Sequence, residues 1–192
     1  MTSPLLPMHD IADQPADLHP DIEGVLVSEQ HIRDKIAELA KQIESDYADR
    51  EVLLVGVLKG AVMVMADLAR ALTIPVSMEF MAVSSYGSST SSSGVVRILK
   101  DLDRDIAGRD ILVVEDIIDS GLTLQYLRKN LEARNPASVA VCALLVREGL
   151  QKQELDLAYV GFHIPPDFVI GYGLDVAERY RNLPYVCTYM GE

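Results

Sequence analysis

The stretch Ile111 to Thr123 reads I-L-V-V-E-D-I-I-D-S-G-L-T, an aliphatic run that ends in carboxylates, a serine, a glycine and a threonine. The run reads as a buried strand, and Leu124, Leu127 and Leu131 then follow at helical spacing. Backbone N–H groups at such a strand-to-helix turn, backed by a helix N-terminus, form a seat for a phosphate. Ser120 and Thr123 add hydroxyls, and Gly121 lets the backbone bend closely around an anion. The spacing is not that of a Walker-type loop. The same residues also read as a plain turn with Asp119 or Ser120 as helix N-cap, and the two readings are compatible. Glu115 and Asp116 are adjacent at a strand end, where alternation directs them to opposite faces unless the backbone turns. They suit sugar hydroxyls or a hard cation such as Mg²⁺. The alternative is a solvated strand terminus, against which Ile117 and Ile118 indicate a buried setting.

Working outward, Ser28 caps a helix whose apolar face carries Ile32, Ile36, Leu39, Ile43 and Tyr47. Val52 to Val57 is a continuous apolar strand, followed by Leu58-Lys59-Gly60 and a helical pattern from Ala61 to Leu72. Val76 to Ala82 and Val95 to Leu99 read as strands. Between them Ser84 to Gly94 has seven serines in eleven residues, which cannot pack a core and, inside a compact domain, reads as a lid. Gly108 turns the connection into the central stretch. Ser138 to Val146 is another strand, ending at Arg147-Glu148-Gly149, and Tyr159 to Phe162 and Phe168 to Ile170 are shorter candidates. His163 reads as a turn residue and the methionines as core fillers. Strands alternating with helices give a mostly parallel sheet covered on both faces. Ligands bind beyond the carboxyl ends of such strands, where Lys59, the acidic turn, Arg147 and Asp175 would gather.

The 192 residues suit one domain over 21–192, with 1–20, rich in proline and without periodicity, as a loose tail. Apolar content of 49% and charged content of 24% are ordinary for a globular protein. A net charge of −12 argues against a nucleic-acid or anionic-membrane surface. Cys142 and Cys187 read as buried thiols in a reducing compartment. No apolar run reaches spanning length and no signal peptide is apparent, so the expected location is cytoplasmic.

The segment V-V-E-D-I-I-D-S-G-L-T resembles the phosphoribosyl-pyrophosphate signature of the purine phosphoribosyltransferases. With V-L-K-G at Val57 to Gly60, S-S-Y-G at Ser84 to Gly87 and F-V-I-G-Y-G-L-D at Phe168 to Asp175, the chain after Ile22 is similar to the hypoxanthine-guanine phosphoribosyltransferases. The resemblance implies the type I phosphoribosyltransferase fold, an α/β sheet flanked by helices with a small hood and a flexible lid loop carrying Ser85 and Tyr86. It implies Mg²⁺-dependent transfer of 5-phosphoribosyl from phosphoribosyl pyrophosphate to hypoxanthine or guanine, giving IMP or GMP and pyrophosphate in purine salvage. By the same resemblance Asp119 is the general base near purine N7, and Asp119, Ser120, Gly121, Leu122 and Thr123 hold the 5′-phosphate. Glu115 and Asp116 meet ribose or Mg²⁺. Lys59, Gly60 and Arg181 meet pyrophosphate, at a place where the family commonly has a non-proline cis peptide; whether this chain has one stays open. Phe168 stacks on the purine, Val169 reads its edge through the backbone, and Asp175 lies at the purine and binds Mg²⁺. Family members commonly form homodimers or homotetramers.

Two positions depart from the family pattern. Arg147 stands where a lysine usually contacts the purine 6-oxo group, and the exchange is not automatically conservative. A surface arginine paired with Glu148 is the alternative there. Leu122 replaces a lysine found in some relatives, at a place where backbone donors suffice. A phosphoribosyltransferase preferring xanthine, or only hypoxanthine, stays open. A non-catalytic nucleotide-sensing regulator is the rival of another class, and the acidic charge counts against it.

Overall fold

The computed structural model describes residues 19–85, 96–151 and 155–191. The central sheet has six strands in the order β4-β3-β2-β5-β6-β7. These are β2 (Val52–Leu58), β3 (Val76–Ser85), β4 (Val96–Lys100), β5 (Asp110–Ile118), β6 (Ser138–Arg147) and β7 (Tyr159–Ile164). All neighbours are parallel except β3 and β4, which form an antiparallel edge. Alternate residues of β5 explain its aliphatic run. Leu112 and Val114 face a core shared with α1 (Glu29–Asp46) and α2 (Val62–Ala71), while Ile111 and Val113 face α3 (Leu122–Glu132). A strand buried on both faces has no polar positions to spare.

Ser28 caps α1 as its sequence indicates, accepting from the His31 N–H at 3.3 Å. The cap of α3 differs from expectation. It is Gly121, in the left-handed region at φ 77° and without a side-chain cap bond, rather than Asp119 or Ser120. Ser120 Oγ only reaches the Leu122 N–H at 3.5 Å.

A second, three-stranded antiparallel sheet joins β1 (Ile22–Val27), β9 (Val186–Tyr189) and β8 (Val169–Ile170), and it forms the expected hood. Its small core holds Ile22, Ile170 and Cys187. Ser84 and Ser85 belong to β3, paired with Arg97 and Val96, so the strand runs past its expected end at Ala82. The rest of the serine-rich segment expected to act as a lid, with Tyr86, lies outside the described residues, as does the tail up to residue 18. His19, expected in the loose tail, accepts from the Ile22 N–H at 2.9 Å and stacks edge-on with Tyr180. His163 sits in β7, not in a turn. Met65 and Met81 are buried, whereas Met63, Met78 and Met190 are exposed. Both cysteines are buried thiols.

Candidate active site

Pairing of β2 with β5 ends at Gly56 and Val114, so the sheet opens there into a crevice along the free edge of β5. The chain also reverses its direction of travel across the sheet at this point, β3 and β4 lying on one side of β2 and β5 on the other. Such a switch point is where open α/β sheets bind ligands. The cleft, of about 360 Å³, is lined by Lys59 and Gly60 after β2, Glu115 and Asp116 on β5, and Asp119 beyond it. Arg147 enters from β6, and Phe168, Val169, Asp175 and Arg181 enter from the hood. The two neighbouring carboxyl residues both line this one cleft. Val57, Leu58, Ile117 and Leu174 complete the lining. Ser120, Gly121, Leu122 and Thr123 are not part of that lining; Ser120 and Gly121 form the turn beside it and Leu122 and Thr123 open α3, and Gly121 packs so closely on Leu155 that a Cβ would lie 2.4 Å from its Cδ2.

Glycine is required by close approach at two points of the cleft. A Cβ on Gly60 would fall 1.6 Å from Asp116 Oδ2. One on Gly173, at φ 100°, would fall 2.1 Å from the Gly60 carbonyl oxygen. The Leu58–Lys59 peptide is cis, which the sequence left open.

The charges of the cleft are paired across elements. Arg147 is largely buried and meets Asp119 at 2.9 Å rather than Glu148, which lies 3.9 Å from His163. The surface reading of Arg147 is thereby overturned. Gln151 donates to the carbonyls of Asp119 (2.8 Å) and Arg147 (2.5 Å), holding the two segments together. Arg181 meets Asp175 at 2.7 Å and donates to the Gly173 carbonyl at 2.7 Å. Among the described residues, the buried Nε atoms of Arg147 and Arg181 have no hydrogen-bond partner. Buried donors left unpaired are costly, and an anionic or carbonyl-bearing ligand would satisfy them.

Residues 26–177 match the family described as Phosphoribosyl transferase domain. A hypoxanthine-guanine phosphoribosyltransferase of Mycobacterium avium is 58% identical over 182 residues, covering 91% of this chain and 90% of the relative. This chain belongs to the phosphoribosyltransferase family. The hypoxanthine-guanine phosphoribosyltransferase of Bacillus subtilis is 52% identical over 166 residues, 86% of this chain and 92% of that one. Among solved structures, a hypoxanthine-guanine phosphoribosyltransferase of Bacillus anthracis aligns with a TM-score of 0.83 at 44% identity. That alignment covers 87% of this chain and 98% of the other. A hypoxanthine phosphoribosyltransferase of Staphylococcus aureus gives 0.85 at 41%, covering 89% and 93%. The mostly parallel sheet, flanking helices and hood of this phosphoribosyltransferase are thus those of the type I fold.

Electrostatically, this phosphoribosyltransferase keeps two carboxyls under strain. Burial, followed by the charge of Asp116, holds Glu115 well above the ordinary carboxylate range. Burial pushes Asp116 up to about 6, against backbone N–H bonds and the charge of Arg181, while the charge of Asp119 adds to the rise. The folded chain thus keeps the Asp116 proton up to about pH 6, while the unfolded chain releases it near ~3.9. Between those values the folded state binds more protons, so this group's contribution to stability is present at low pH and lost as pH rises. Asp116→Asn is therefore expected to melt higher than the parent at pH 7.5, with the gap closing towards pH 4.5. A melting-temperature series across that range checks it, and a gap independent of pH would count against it.

Sequence reasoning missed two residues of this region. Gln151 carries no pattern that marks it. Glu178, 2.9 Å from Lys59, owes its position to a turn with Ala177, Glu178 and Tyr180 at positive φ, which no periodicity reports.

Proposed function

We propose that this protein is a hypoxanthine-guanine phosphoribosyltransferase of purine salvage, joining 5-phosphoribosyl to N9 of a 6-oxopurine and releasing pyrophosphate. One observation carries the reading. A single cleft gathers Asp119 and Arg147, Glu115 and Asp116, Lys59 and Arg181, and the ring of Phe168, half exposed at its mouth. The match to named relatives along nearly the whole chain supports it.

The reaction separates a ribosyl carbon from pyrophosphate, leaving positive charge on the sugar ring and negative charge on the leaving group. Charges fixed in advance stabilise both. Lys59 and Arg181 face the leaving pyrophosphate, and the Gly60 backbone approaches it without a side chain in the way. The turn from Asp119 to Thr123 seats the 5′-phosphate with backbone N–H groups and the hydroxyls of Ser120 and Thr123. Glu115 and Asp116 meet the ribose hydroxyls, which relieves the cost of their burial. Phe168 stacks on the purine, while the Val169 backbone reads its edge. Asp119 takes the proton from N7, and Arg147 donates to the 6-oxo group beside it. Ser85 and Tyr86 begin the segment assigned to covering the site.

Mg²⁺ fits the donor set. Among the described residues no cluster of three or more His, Cys, Asp or Glu is arranged to hold a metal. A Mg²⁺ ion usually takes one or two carboxylates and fills its shell with substrate oxygens and water. Asp175 on the hood side, or Glu115 and Asp116 on β5, would supply those one or two carboxylates. When bound, the ion neutralises charge on the leaving pyrophosphate. No helix among the described residues is long and apolar enough to cross a membrane. We assign the working enzyme to the cytoplasm, as a homodimer or homotetramer with no nucleic-acid partner.

A Mg²⁺-dependent assay with phosphoribosyl pyrophosphate and hypoxanthine, guanine, xanthine or adenine, each alone, tests the reading. Pyrophosphate release with hypoxanthine and guanine is expected. Release with none of the four overturns the enzyme assignment, and release with xanthine alone moves the preference. Arg147 supplies the specific reason to include xanthine, because its planar fork offers more donors than the usual lysine. Arg147→Lys is expected to shift the ratio of kcat/KM between guanine and xanthine by roughly tenfold, about the effect of one hydrogen bond to a charged group. Unchanged ratios would remove Arg147 from base selection.

A further inference from the structure

The two cations assigned to pyrophosphate are both engaged by carboxylates of the chain itself. Glu178 Oε2 lies 2.9 Å from Lys59 Nζ, and Glu178 Oε1 lies 3.4 Å from Arg181 Nη2. Asp175 meets the same Nη2 of Arg181 at 2.7 Å and accepts from the Glu178 N–H at 2.8 Å. Glu178 thus bridges a loop after β2 and a loop of the hood that are far apart in sequence. Its own backbone is in the left-handed region at φ 63°, with Ala177 at 50° and Tyr180 at 75°, and a bridge between Val176 and Arg179 closes the turn. Side-chain-bearing residues rarely adopt this conformation, so three within four positions fix an unusual path. That path carries one exposed carboxylate across both guanidinium and ammonium.

We infer that Glu178 is an internal competitor of the pyrophosphate group, which must displace it from Lys59 and Arg181 to bind. The inference rests on the proposed role of these two cations. A carboxylate offers the same chemistry as a phosphate oxygen to a Lys or Arg, but with less charge and only two oxygens. A pyrophosphate group therefore wins the exchange, at an affinity reduced by the competition. The arrangement keeps Lys59, and the part of Arg181 that Asp175 leaves unengaged, from accepting any small anion, and it weakens retention of the product. Discrimination arises because only a ligand with several phosphate oxygens replaces both contacts together.

Two substitutions test this on the full chain. Glu178→Gln removes the charge at nearly constant size. Glu178→Asp keeps the charge, shortens the reach, and suits a left-handed backbone better than glutamate. Binding of pyrophosphate in the presence of Mg²⁺ is measured by calorimetry, alongside KM for phosphoribosyl pyrophosphate. Both variants are expected to bind pyrophosphate roughly three- to tenfold more tightly, the scale of two exposed ion pairs released. Inorganic phosphate and sulfate are expected to gain at least as much, lowering selectivity. Tighter binding by Glu178→Gln with Glu178→Asp unchanged would reduce the effect to general charge and overturn the proposal. Weaker binding by both would make Glu178 a support for the cations and overturn it as well. If the parent chain binds no pyrophosphate, the functional reading itself fails; if it binds and the variants match it, only this inference fails.

Discussion

Asp119→Asn is expected to lower kcat by roughly 10²- to 10⁴-fold, the usual contribution of a positioned general base, while KM for phosphoribosyl pyrophosphate moves only a few-fold. The substitution keeps the side chain's size and leaves an oxygen facing Arg147, now 2.9 Å away as an ion pair. It removes the ability to take a proton. Asp119 is half exposed beyond the end of β5, so the sheet does not depend on it. The loss is expected to be smaller at high pH, where the purine itself sheds a proton and needs the base less. Single-turnover rates across pH separate this from a binding defect. An unchanged kcat at neutral pH would assign proton removal to another group of the cleft.

The second large effect is expected from Gly173→Ala. Its φ of 100° is one that L side chains rarely adopt, and the new Cβ would meet the Gly60 carbonyl oxygen at 2.1 Å. Both partners are backbone, so neither can swing aside. Steric relief requires the hood loop to move away from the loop after β2. The Gly173 carbonyl also accepts from Arg181, so the same movement displaces the cation proposed to meet pyrophosphate. A cost of about 3 kcal/mol from the φ and the clash together corresponds to a fall in melting temperature of roughly 6–12 °C for a chain of this size. Pyrophosphate affinity should drop with it. A variant with parental melting temperature and parental affinity would show that the two loops do not need this contact.

Much of the architecture was readable beforehand because burial on both faces leaves an unambiguous trace. β2, β5 and β6 are near-continuous aliphatic runs, and their boundaries agree with the structure to within a residue or two. The hood left a weaker trace. β1 has a glycine in its middle and two register shifts, and β9 is four residues long, so neither repeats a pattern long enough to recognise. The site divides in the same way. Lys59, Asp119, Phe168 and Asp175 sit in contiguous motifs at strand ends, where local sequence and spatial position coincide. Arg147 was ambiguous because sequence offers Glu148 as its neighbour, while space offers Asp119 from the turn after the adjacent strand. Glu178 and the left-handed Gly121 cap were illegible for another reason. Each depends on backbone dihedral angles that side-chain periodicity does not encode.

The pairing of β1 with β9 has a consequence for how the protein comes into being on the ribosome. β1 is made early, yet its hydrogen-bonding partner is β9, and β8 joins only through β9. Contacts so distant along the chain form late, after the costs of closing a long loop have been met. The six-stranded sheet, whose strands are complete by Ile164, can assemble while β1 still waits. A nascent chain at that stage already holds Lys59, Glu115, Asp116, Asp119 and Arg147, but lacks Phe168, Asp175 and Arg181. Half-made molecules would therefore carry the acidic wall of the cleft without the face proposed for the purine, and competence would arrive in a single step with the closing strand.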